Sequence, residues 1–105
     1  MGRTVEFIVI LDNGVRKRHY HKIQRGSVLS FAVQLEVLVG DKWKPVVRYD
    51  SAHGFAHTDL FTLNGKSEKK ALNLSFSSAL TLADWDINEN WEEYVQKFLS
   101  GGKNR

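Results

Sequence analysis

Ser27-Val28-Leu29-Ser30-Phe31-Ala32-Val33-Gln34-Leu35-Glu36-Val37-Leu38 has a period of two. Leu29, Phe31, Val33, Leu35 and Val37 point one way. Ser30, Gln34 and Glu36 point the other, so the stretch reads as a strand with one buried face. Upstream lies a second alternating stretch, Val15–Ile23. Arg16, Arg18, Tyr20 and Lys22 share one of its faces, and Lys17, His19 and His21 share the other. A strand this polar on both sides is expected at a sheet edge or against a ligand. Thr4–Leu11 is nearly all apolar in its second half and reads as a central strand. Asn13-Gly14 separates these two stretches, and Asn64-Gly65 separates Thr58–Leu63 from Lys66–Leu74. Asn-Gly favours the type I′ turn, whose two central residues both need positive φ, so both pairs predict hairpins. Gly40-Asp41-Lys42 predicts a turn, followed by a strand over Trp43–Tyr49. Pro45 has no N–H to give a ladder, which places it at an edge or near the strand's beginning.

The last quarter of the chain changes period. Leu80, Ala83, Ile87, Trp91, Tyr94, Val95 and Phe98 recur at three- and four-residue steps, the stripe of an amphipathic helix over about residues 78 to 99. Ser77 or Ser78 is the expected N-cap. Asp86 with Glu89 offers a capping box for a later start. Gly101-Gly102 marks the end. Trp43, Trp85 and Trp91 are expected to pack in or beside the core. The fold class that follows is α+β: an antiparallel meander of about six strands with one long C-terminal helix on one face. At 105 residues, this is expected to be one domain spanning 1–105.

Composition narrows the function classes. The absence of cysteine excludes disulfides, thiolate metal sites and cysteine nucleophiles. No apolar run approaches the ~20 residues of a membrane span, and the start lacks a signal-peptide pattern, so a cytoplasmic location and no membrane association are expected. There is no phosphate-binding glycine-rich loop, nucleophile elbow or His-Glu-x-x-His, and no cofactor is indicated. The net charge of +3 is uneven. Arg16, Lys17, Arg18, Lys22 and Arg25 fall in ten residues without an acid, while Asp84, Asp86, Glu89, Glu92 and Glu93 crowd the helix. That asymmetry suits a polyanion or a partner of complementary charge, or simply two solvated faces.

Arg48-Tyr49-Asp50-Ser51-Ala52-His53-Gly54-Phe55-Ala56-His57-Thr58-Asp59 concentrates chemistry around a stretch, Asp50 to His57, that has no strand or helix period and joins the strand ending at Tyr49 to the hairpin starting near Thr58. Three readings compete. In the first, His53 and His57 act as acid and base on RNA without a metal, Arg48 forks onto the phosphate, and Asp50 orients an imidazole. Arg16, Arg18, Lys22 and Arg25 then attract the nucleic-acid backbone. In the second, Asp50, His53, His57 and Asp59 ligate a metal ion. In the third, the segment is an ordered polar loop whose charges are paired and whose histidines bond backbone carbonyls. His19 and His21 would join the cluster if their strand neighboured the loop.

Val47-Arg48-Tyr49-Asp50-x-Ala52-His53-Gly54-x-x-His57-x-Asp59 resembles a motif of a family of small prokaryotic proteins, in which a β-rich segment, this loop and a C-terminal helix follow in the same order. Asp86-Ile87-x-x-Asn90-Trp91-Glu92-x-Tyr94 is similar to that family's ending. More distantly, the loop resembles that of TumE-type toxin components of toxin–antitoxin pairs. That resemblance implies an RNA-directed or translation-blocking activity and an antitoxin-like protein partner. It carries a location (Arg48, Tyr49, Asp50, His53, Gly54, His57) and no mechanism. The alternative class is a non-enzymatic binding or assembly module, with Val15–Ile23 or the acidic helix as its contact and a homodimer through an open sheet edge as its natural form.

Overall fold

The computed structural model describes residues 2–101. Six strands run β1 (Gly2–Asp12), β2 (Val15–Gln24), β3 (Ser27–Val39), β4 (Lys42–Asp50), β5 (His57–Phe61) and β6 (Ser67–Ala71), and helix α1 (Phe76–Leu99) closes the chain. The strands form one antiparallel sheet in the order β1-β2-β3-β4-β5-β6, each paired with its neighbours in sequence. This is the expected α+β meander with a C-terminal helix.

The alternation of β3 decides which face is covered. Phe31, Val33, Leu35 and Val37 are buried, as are their lateral neighbours Val15, Val47 and Tyr49. Helix α1 lies across β3 and β4 and sets Ala79, Ala83, Ile87 and Phe98 onto that face. Each aliphatic side chain so enclosed stabilises the fold by about 1.5–3 kcal/mol relative to exposure. Alanine at 79 and 83 lets the helix approach the sheet closely. The opposite face of the sheet carries no helix among the described residues.

The helix begins two residues earlier than the expected position 78. Ser75 is the N-cap, its hydroxyl accepting from the Ser78 N–H, and neither Ser77 nor Ser78 fills that role. Phe76, whose ring meets Phe31 at 5.9 Å, anchors this first turn to the sheet. Asp86 and Glu89 lie within the helix and start nothing. Gly101, at φ +80°, follows the C-cap Ser100; Gly102 lies outside the described residues.

Two strand expectations are reversed. The apolar β1 is the edge strand, and the polar β2 is internal. In a meander the first strand ends at an edge whatever its composition. Strand β2 tolerates an interior place because its charges find partners across both faces. Lys17 Nζ reaches Asp84 at 3.2 Å and donates to Asn88 at 2.8 Å under the helix, and Arg16 Nε reaches Glu36 at 2.6 Å on the bare side. Pro45 sits at a register shift between β3 and β4, where no ladder donor is required of it. Trp43 is half-buried with the Arg16 guanidinium 4.0 Å over its ring, and Trp91 packs against the core. Trp85 does not pack: it is 61% exposed.

The turns also differ from expectation. Asn13-Gly14 and Asn64-Gly65 do join strands, yet only the glycines have positive φ, so neither is type I′. Strand β1 instead absorbs the extra twist in a register shift between Ile10 and Asp12. The turn with positive φ at both central residues is Arg25-Gly26, at +52° and +77°. An arginine there gives no sequence signal.

Candidate functional site

Strand alternation divides the Arg48-Tyr49-Asp50 run between two faces. Tyr49 turns to the helix. Its hydroxyl donates to Asp86 Oδ2 at 2.6 Å, and Tyr94 donates to the same oxygen at 2.5 Å. Asn90 Nδ2 donates to Asp86 Oδ1 at 2.7 Å. Burial, reinforced by the Asp86 carboxylate, pushes both phenol pKa values well above the usual tyrosine range. Tyr49 is thus a helix-docking residue.

Arg48 and Asp50 turn to the bare face. Register puts them in two adjacent rows across the sheet. One row reads Ile8, Arg18, Gln34, Arg48, Asp59, Lys69; the next reads Glu6, Tyr20, Ala32, Asp50, His57, Ala71. Contacts follow the rows. Arg48 Nε donates to Gln34 Oε1 at 2.6 Å, stands 4.0 Å from Asp50 Oδ2, and its guanidinium lies 5.0 Å from the Phe61 ring centroid. Lys69 Nζ is 3.2 Å from Asp59 Oδ1.

At the centre is His57, the first residue of β5 and 1% exposed. Its Nε2 stands 2.7 Å from Asp50 Oδ1 and 3.5 Å from Asp59 Oδ2. Neither contact has hydrogen-bond geometry, so Nε2 is a buried polar atom without a partner. Nδ1 lies 3.3 Å from the Phe55 carbonyl. Residues 51–56 fold back over this imidazole: the His53 ring stacks on it at 5.3 Å, and Phe55 lies 5.5 Å away. The Ala52 N–H donates to Asp50 Oδ1 at 3.2 Å, and Gly54 takes φ +84° at the tip.

The four residues chosen for acid–base chemistry therefore meet, but not as equals. His53 is exposed, Arg48 is half-buried, and Asp50 and His57 are buried. Only His53 among the two imidazoles reaches solvent. Of the four alternative metal ligands, Asp50, His57 and Asp59 bring ligand atoms within 4.8 Å of one another; His53 is not in that set.

The basic strand is partly spoken for. Arg16 and Arg18 share Glu36, at 2.6 Å and 3.5 Å, although the Arg18 side chain stays 58% exposed. Lys22 and Arg25 are exposed, Arg25 at the β2–β3 turn. Glu6, Ile8, Arg18, Tyr20, Ala32 and Gln34 contribute to a groove of about 600 Å³ on this side. His19 and His21 do not extend the loop cluster. They face the helix side, two strands away from β4. His19 Nε2 is 2.7 Å from His21 Nδ1, its ring stacks on Phe7 at 4.4 Å, and burial lowers its pKa against the pull of Asp84.

Sequence reasoning missed Lys69, Gln34 and Glu36 as members of the network. Lys69 was hidden by the turn. A two-residue turn at Asn64-Gly65 pairs Asp59 with Lys70; the observed register pairs it with Lys69. Gln34 and Glu36 were visible as the polar side of β3, without a sign of what they would touch.

The family model described as a domain of unknown function (DUF7718) matches residues 2–104. No curated protein and no solved structure matches the chain.

Proposed function

We propose, for a chain that belongs to the DUF7718 family of domains of unknown function, that it is an RNA-directed, toxin-like protein using the bare face of its sheet as the docking surface. One observation carries this reading: Arg18, Tyr20 and Arg48 lie on the sheet face that α1 leaves open, and that same face leads into the loop bearing the exposed His53. Cations spaced along a sheet track a phosphate backbone, and the half-buried Tyr20 ring offers a base a stacking partner. His53 is the imidazole able to exchange a proton with a bound 2′-hydroxyl in metal-independent acid–base chemistry. Asp50 and His57 form the floor beneath it. The location proposed with this activity is the cytoplasm. The partner is an antitoxin-like protein that masks the face.

The test is expression of wild type and His53→Ala, with RNA binding followed by fluorescence anisotropy. Wild type is expected to slow growth and degrade RNA. His53→Ala, altering an exposed side chain, is expected to lose both effects while still binding RNA. Arg18→Glu is expected to weaken binding by about tenfold or more, with a shallower salt dependence. A wild type that leaves growth and RNA untouched removes the enzymatic reading.

A second reading has its own observation. Strand β1 exposes Phe7, Ile8 and Ile10 (46%, 52% and 68%) beside an unpaired edge. An apolar open edge is a template for another strand. An assembly module would use β1 for a homodimer or a protein partner, and not β2, which is flanked on both sides. Light scattering of wild type and Ile8→Lys discriminates: a dimer lost in the variant supports this reading, and a wild-type monomer at high concentration opposes the homodimer.

A further inference from the structure

We infer that Asp50, His57 and Asp59 form a binding site for one divalent transition-metal ion, a property that does not rest on the RNA reading. The argument begins with the tautomer of His57. Its Nδ1 lies 3.3 Å from the Phe55 carbonyl oxygen. A carbonyl only accepts, so this contact is made by an Nδ1–H. In the Nδ1–H tautomer of the neutral ring, Nε2 is a free lone pair. That is the tautomer a metal-binding imidazole adopts when a backbone carbonyl fixes its far nitrogen.

Nε2 faces two carboxylate oxygens. Asp50 Oδ1 is 2.7 Å away and Asp59 Oδ2 is 3.5 Å away, both acceptors, and Nε2 has no hydrogen bond. Asp50, His57 and Asp59 are 8%, 1% and 4% exposed, so water does not screen the repulsion well. Three electron-rich ligand atoms therefore converge within 4.8 Å of one another. Metal–ligand bonds of 2.0–2.2 Å in a tetrahedron put neighbouring ligand atoms roughly 3.4 Å apart. The 3.5 Å separation already has that value, and a small turn of the Asp50 carboxylate opens the other.

The surroundings fit the same role. The Ala52 N–H holds Asp50 Oδ1, the oxygen nearest Nε2. Arg48 at 4.0 Å from Asp50 and Lys69 at 3.2 Å from Asp59 partly balance the two carboxylates. Register fixes the ligands on rigid strands: Asp50 pairs with His57 across β4 and β5, and Asp59 follows two residues later on the same face. Only the His53–Phe55 cover lies on a loop. Two carboxylates and one imidazole, without thiolate, suit zinc or manganese, and three protein ligands leave a position for water.

The test uses the full chain, stripped with chelator, titrated with zinc chloride and separately with manganese chloride by calorimetry, with no RNA present. One ion per chain is expected for at least one metal. His57→Ala and Asp59→Asn are expected to weaken binding by at least about tenfold, while His53→Ala leaves it within about threefold. Lys69→Met guards against misreading a misfolded variant: it frees Asp59 from its cation and is expected to tighten binding, a gain that damage to the fold does not produce. Failure of wild type to bind either metal in stoichiometric amount overturns the inference. So does equal binding by wild type and His57→Ala. Either result leaves the RNA assays of His53→Ala unaffected, so the two ideas fail separately.

Discussion

Two carboxylate clusters flank the middle of the sheet, one on each face, and they are built in opposite ways. On the helix side, Asp86 is surrounded by donors: two phenol hydroxyls and an amide all give it hydrogen bonds. On the bare side, Asp50 and Asp59 enclose an imidazole nitrogen that has no hydrogen bond at all. A fully satisfied buried network rigidifies a fold, whereas a partly satisfied one costs energy that the rest of the fold must supply. The first cluster therefore reads as a fastening between α1 and β4. The second leaves a buried imidazole nitrogen facing two carboxylates without a hydrogen bond.

The contrast can be attacked by substitution and by pH. The largest effect is expected from Asp86→Ala, which strands the Tyr49 and Tyr94 hydroxyls beneath the helix. Losing hydrogen bonds to a charged acceptor at such a site costs about 3 kcal/mol, read as a lowered urea midpoint. An effect under about 1 kcal/mol would mean the helix is held by apolar packing alone.

Alkaline pH attacks the same cluster without mutation. The folded protein raises the pKa of Tyr49 and Tyr94 above the ordinary value of 10.0, chiefly through burial. The unfolded chain releases those protons near pH 10 while the folded chain holds them. Their contribution is thus complete below pH 10 and is lost as pH rises above it. Ultraviolet titration is expected to show two of the three tyrosines resisting ionisation until the protein unfolds. Three tyrosines ionising together in folded protein would contradict the donor arrangement around Asp86.

The smallest effect is expected on the other face. In metal-free protein, Asp59→Asn removes a pairing with Lys69, whose side chain is 44% exposed, and also relieves one of the two acceptors facing His57. Solvent screening and that relief keep the cost below about 1 kcal/mol. A cost equal to that of Asp86→Ala would make both clusters structural and erase the difference between them.

Much of this arrangement can be read in the chain. The period of two in Ser27–Leu38 and the three-and-four spacing after Leu80 are enough for the α+β meander and its helix. Alternation also sorts β2, with Arg16, Arg18, Tyr20 and Lys22 away from the helix and Lys17, His19 and His21 beneath it. What was not legible depends on neighbours. Composition makes Thr4–Leu11 look interior, but pairing order alone puts it at the edge. The Arg48–Asp59 segment announced itself as polar and crowded. That Asp50 shares a face with Arg48 follows from one more residue of strand, since β4 runs to Asp50. That His57 is enclosed and His53 exposed follows from how six loop residues fold back, which no local pattern encodes. Trp85 on the outer surface has no explanation in the structure.

The order of the elements has a consequence for synthesis. Every strand binds its predecessor, so the sheet can assemble progressively as the chain emerges from the ribosome. Helix α1 comes after all six strands. Until it arrives, Val33, Leu35 and Val47 form an uncovered greasy surface, and β1 offers its open flank nearby. A chain cut short before Phe76 would keep every strand and lose the lid, leaving that surface open to other chains.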